Sequence, residues 1–164
     1  MTRLSLFRQE LENEAIATRK MLAAVPDGKF DWKPHPKSMS IRQLIAHIAE
    51  LPTWPGMVLN TTELDFAVAE YTPPTVTDTA SVVNLFNQNL SDALASLDNA
   101  KEEALDETWI LRNGDAIYSK GSKYDMIRIS VSQIIHHRAQ LGVFLRLLDV
   151  PIPGSYGPSA DESF

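Results

Sequence analysis
Apolar residues recur at intervals of three and four along four stretches of the chain, and each stretch predicts an amphipathic helix. Between Arg3 and Val25 these positions are Leu4, Phe7, Leu11, Ala15, Met21 and Leu22, a spacing that returns to one helix face at every turn. Pro26 and Gly28 close this run, and Pro34 and Pro36 exclude a helix from the next, because proline has no N–H to give a helix interior. Ser40 with Gln43 three residues on forms a capping box. It predicts a second helix carrying Ile41, Leu44, Ile45 and Ile48 on one face. Pro52 and Pro55 should bend or interrupt that helix before it resumes toward Asn60. A polar, proline-bearing crossing follows at 71–79, after which Asp78 or Thr79 caps a third long helix through Val82, Val83, Phe86, Leu90, Leu94 and Leu97. Asn113-Gly114 lies between two short β-prone runs, which is a hairpin signal. From 122 to 148 the pattern is helical throughout, until Pro151 and Pro153. The expected fold is therefore all-α: a four-helix bundle with one long crossover and a small β-hairpin before the last helix, formed by residues 1–164 as a single domain.

Polar residues set into the apolar stripes are the candidates for chemistry. In the last helix Ile127, Val131, Ile134, Leu141, Leu145 and Leu148 gather on one side. Successive residues step about 100° around a helix, so the adjacent His136 and His137 cannot share one direction. His137 lies at the flank of the stripe and His136 nearly opposite. Gln133 precedes His137 by one turn on the same flank, and residues four apart stack one above the other. His47, on the second helix, lies beside the Ile41–Leu44–Ile48 stripe. Together His47, Gln133 and His137 make a candidate metal site, because neutral imidazole is a common ligand and facing bundle helices are a usual place to assemble one. A hydrogen-bonded core network is the other reading of the same spacing.

Composition narrows the partners. With no cysteine the chain can form neither a disulfide nor a thiolate metal site, and this fits a reducing cytoplasm. The net charge of −6 works against nucleic acid, whose binding rests on lysine and arginine neutralising phosphates. Neither a signal-peptide core nor 18 consecutive apolar residues occurs, so no membrane partner is expected.

Two segments, FDWKPHPKSMSIRQLIAHIAEL at 30–51 and HHRAQLGVFLRLLDVPIPGSYGPSADE at 136–162, resemble the DinB/YfiT-like family of metal-dependent bundle proteins. The resemblance implies a divalent metal, nickel or zinc, held by one histidine of the second helix and two, four apart, in the last. His47 matches the first of these and His137 the last, while Gln133 stands where the family typically has histidine. A carboxamide oxygen is a neutral and poorer donor than imidazole, so weaker metal affinity is expected. The implied function is a small-molecule enzyme, a thiol-dependent transferase, isomerase or hydrolase, with a low-molecular-weight thiol as candidate substrate. Such an ion acts as a Lewis acid on a small nucleophile. The alternative is a non-catalytic bundle with a degenerate metal site, serving structure or ligand sensing.

Glu50, one turn after His47, is the candidate catalytic carboxylate or an acceptor behind the ligand; a solvated carboxylate is the plainer reading. Arg138 is read as a buried ion pair with an acid on another helix. His35 is read as packing or surface, and Trp32 and Trp54 as cavity walls or core. Tyr156, Asp161 and Glu162 of the tail are candidates to fold over the site mouth. Ile129, Val143 and Leu147 lie away from the main stripe of the last helix. With family members commonly dimeric, they predict a homodimer through that helix.

Overall fold
A computed structural model describes residues 1–163 of the chain. Helix α1 (Arg3–Ala23) begins at Thr2, whose hydroxyl accepts from the N–H of Ser5, and buries Leu4, Phe7, Leu11, Ala15, Met21 and Leu22. Helix α2 (Ile41–Glu50) opens on the Ser40–Gln43 capping box and buries Ile41, Leu44, Ile45 and Ile48. The interruption falls where the prolines require it. Helix α3 (Thr53–Asn60) starts immediately after Pro52 and holds Pro55 in its first turn, where a missing N–H removes no helical hydrogen bond. Helix α4 (Thr79–Asn99) is capped by Asp78, which exchanges hydrogen bonds with Ser81. Helix α5 (Lys123–Leu147) is capped by Ser122 with Asp125. It ends before the prolines, at Asp149, which takes a left-handed φ of 56°; this conformation is open to aspartate and terminates a helix as glycine would.

The all-α expectation falls short by a sheet. Strands β1 (Glu63–Asp65), β2 (Thr108–Asn113) and β3 (Ala116–Ser122) pair in that order, with β1 parallel and β3 antiparallel to β2. Five helices and a three-stranded sheet make up the fold. The hairpin is no ornament, since Trp109 of β2 is fully buried and its indole N–H donates to Thr61. Its two-residue turn is Gly114-Asp115, one position later than the Asn-Gly signal suggests. Gly114 takes the first central place at φ 57°, where a side chain would be strained. β1 escaped the pattern because three residues are too few to show a period of two.

Helices α4 and α5 each pack against both α1 and α2, and α3 extends α2 along the same two neighbours. The direction of that packing is fixed at its two ends. Trp32, ahead of α2, meets Phe144 near the end of α5 with ring centroids 5.8 Å apart. At the other end Lys123, at the start of α5, donates to the carbonyl of Leu59 in α3. The α2–α3 rod thus runs antiparallel to α5, and His47 arrives beside His137.

Candidate metal centre
His47 and His137 are half-buried, and their rings meet edge to face at 78° with centroids 4.7 Å apart. Two imidazoles sharing one ion through nitrogens at about 2.0–2.1 Å have centroids roughly 4.5–5 Å apart. The pair therefore fits two donors to a common ion. The far nitrogen of each ring has a partner. Nδ1 of His137 lies 2.9 Å from Oε1 of Gln140, and Nε2 of Gln140 lies 3.1 Å from Nε2 of His136. An amide oxygen only accepts, so His137 donates from Nδ1 and keeps the lone pair of Nε2. Nδ1 of His47 lies 3.9 Å from Oε2 of Glu50, and that same oxygen accepts from the hydroxyl of Tyr71 at 2.9 Å.

Burial, first, and the neighbouring His137, second, push the His47 imidazole below its ordinary pKa. Burial does the same to His137, with His136 adding to it and the hydrogen bond to Gln140 opposing it. Both rings are thus neutral at neutral pH, the state that ligates metals. Burial and the bond to Glu50 push the Tyr71 phenol up to about 12, so it remains a donor.

The third expected donor is not gathered in. Gln133 is exposed on α5, and among the described residues no group of three or more histidine, cysteine, aspartate or glutamate side chains is placed to hold a metal. His136 is exposed, as its place on the helix wheel requires. Two participants escaped the sequence reading. Gln140 stands three and four residues after the paired histidines, a helical spacing that signals contact with both. Tyr71 lies in the aperiodic crossing, where no spacing connects it to Glu50.

Other expected residues resolve around this pair. Arg138 is 2% exposed and pairs with Glu14 of α1 at 2.6 Å, which is the buried ion pair expected of it. It also donates to Thr18 and to the hydroxyl of Tyr156, which in turn donates to Glu14. The tail does not fold over the histidines. Tyr156 seals the Arg138–Glu14 pair, Asp161 bridges to Arg146, and Glu162 bridges to Lys20, all on the α1–α5 side. His35 is exposed, and Trp32 and Trp54 pack edge-on or tilted against Phe144 and Trp109.

A model of the DinB family matches residues 1–163. The chain belongs to the DinB family. Among relatives of this DinB protein, the uncharacterized protein YrdA of Bacillus subtilis (strain 168) is 23% identical over 97% of this chain and 91% of its own length. A DinB-like crystal structure from Bacillus subtilis superposes with a TM-score of 0.67 at 17% identity, covering 90% of this chain and 96% of the other. The crystal structure of a mycothiol-dependent maleylpyruvate isomerase superposes with a TM-score of 0.61 at 13% identity, covering 87% of this DinB chain and 63% of the isomerase. At these identities the structural likeness is one of fold. No helix of the described residues is long and apolar enough to cross a membrane.

Proposed function
We propose that this DinB protein is a metal-dependent enzyme acting on small molecules, a transferase, isomerase or hydrolase that uses a low-molecular-weight thiol, with a divalent ion, nickel or zinc, held by His47, Gln133 and His137. The observation that carries this reading is the meeting of His47 and His137 at 4.7 Å from two antiparallel helices. The likeness in fold to a mycothiol-dependent isomerase supports the thiol. A bound ion would supply Lewis acidity toward such a nucleophile. The chain's own part is to keep both imidazoles neutral and to occupy their Nδ1 edges, with Gln140 at His137 and Glu50 near His47. Glu50 is the group within reach to carry a proton to or from a substrate. The mutual packing of α1, α2–α3, α4 and α5 supports a four-helix bundle forming one domain. A homodimer working in the cytoplasm completes the proposal.

The exposure of Gln133 and the lack of a third imidazole or carboxylate favour a second reading, a non-catalytic bundle with a degenerate metal site. Titration of the purified protein with Ni²⁺ and Zn²⁺, followed by a thiol-transfer screen, separates the two. His47→Ala and His137→Ala should each lower affinity by at least about tenfold, while Gln133→His should raise it by a similar factor, as expected for loss or gain of an imidazole ligand. Unchanged affinity in both alanine variants would sink the metal site. A Gln133→His protein that binds tightly without turnover would point to the non-catalytic reading.

A further inference from the structure
We propose that Tyr71 is a positioning residue of this centre, acting through Glu50 on the imidazole of His47. The inference rests on the metal reading above and adds a residue that no helical spacing could supply. Tyr71 belongs to the crossing between β1 and α4, which is pinned on both sides of it. Before it, the N–H groups of Val68 and Ala69 donate to the carbonyl of Asp65, and that of Ala67 to the Asp65 carboxylate. After it, Arg42 of α2 donates to the carbonyl of Val76 at 2.7 Å, and Thr79 donates to Asp27. The crossing is thereby laid along α2.

Between these anchors the Tyr71 residue is 60% exposed, yet its hydroxyl turns inward to Glu50 at 2.9 Å rather than to water. It donates to Oε2, the same oxygen that stands 3.9 Å from Nδ1 of His47. One carboxylate oxygen is thus fixed beside the far edge of the ring whose other nitrogen faces His137. An imidazole that ligates through Nε2 is a stronger donor at Nδ1, and an acceptor held there sets its tautomer and orientation. The phenol, with its pKa raised to about 12, keeps the proton that this hold needs.

The test uses the full chain and two readouts. In the metal-free protein at about pH 8, where both rings are neutral, long-range nitrogen–proton spectra report which nitrogen of His47 carries the proton. Wild type should show the Nδ1–H form, and Tyr71→Phe and Glu50→Gln should both move the population toward Nε2–H. In a Co²⁺ titration followed by visible absorption, Glu50→Gln should weaken binding about 10- to 100-fold and Tyr71→Phe about 3- to 10-fold. The double variant should bind no worse than Glu50→Gln alone, since Tyr71 acts only through Glu50. Additive losses, or a Tyr71→Phe protein identical to wild type in both measurements, would overturn the proposal. Should wild type bind no Co²⁺, the metal reading fails, while the ring spectra still decide whether Tyr71 orients His47. Tyr71→Phe deletes one exposed hydroxyl, so circular dichroism should match wild type.

Discussion
Adjacent residues of α5 serve different ends because each step around the helix turns them by about 100°. His137 faces His47, His136 faces out, and Arg138 turns to α1, where it is 2% exposed beside Glu14. A buried guanidinium requires its acid, and the acid requires it. Arg138→Met should therefore leave Glu14 uncompensated and destabilise the protein by about 3–5 kcal/mol. Arg138→Met combined with Glu14→Gln should recover much of that loss. Denaturant midpoints of the two variants and wild type check this, and equal midpoints for the single and double variants would refute it. Two glutamines show the same directional logic. Gln140 meets both histidines because it follows them by one turn, whereas Gln133 shares a flank with His137 and is left in solvent.

Among the elements, the helices announce themselves through caps and periodicity, and the sheet does not. Each of α2, α4 and α5 begins at a reciprocal cap legible in four residues. The sheet depends on a pairing across more than 40 residues, with Glu63 opposite Ile110 and Asp65 opposite Arg112. Asp65 secures that joint. Its carboxylate accepts from the N–H groups of Gly114 and Ala67 and pairs with Arg112 at 2.7 Å. These backbone bonds foremost, with Arg112 assisting, hold it below the usual aspartate range. A carboxyl with a depressed folded pKa adds stability that is fully present above its unfolded pKa of about 3.9 and is lost as pH falls through the folded value. Asp65→Asn should accordingly unfold at lower denaturant than wild type at about pH 6, with the gap closing below about pH 4. A gap that stays constant with pH would contradict the assignment.

At the scale of the molecule, α5 buries one face in the core and leaves another apolar face uncovered. Ile129, Val143 and Leu147 are 48%, 59% and 60% exposed, where the sequence pattern placed them off the main stripe. Apolar side chains in such numbers on one helix fit a self-association surface. The proposed homodimer should sediment with twice the monomer mass at micromolar concentration. Val143→Glu should shift it to monomer by placing a charge in the contact. A wild-type monomer under those conditions would dismiss the dimer.

The sequence alone determined the long helices, their starts and breaks, the stripe each buries, and the unequal roles of His136 and His137. These depend on residues within a turn or two of one another, so local geometry suffices to read them. Tertiary structure decided which groups from distant segments meet. It ran α2–α3 antiparallel to α5 and so joined His47 to His137. It drew Tyr71 from an aperiodic crossing onto Glu50, and it docked the tail on Arg138 and Glu14 instead of over the histidines. Such contacts follow from how whole elements share a core, and no spacing along the chain encodes them.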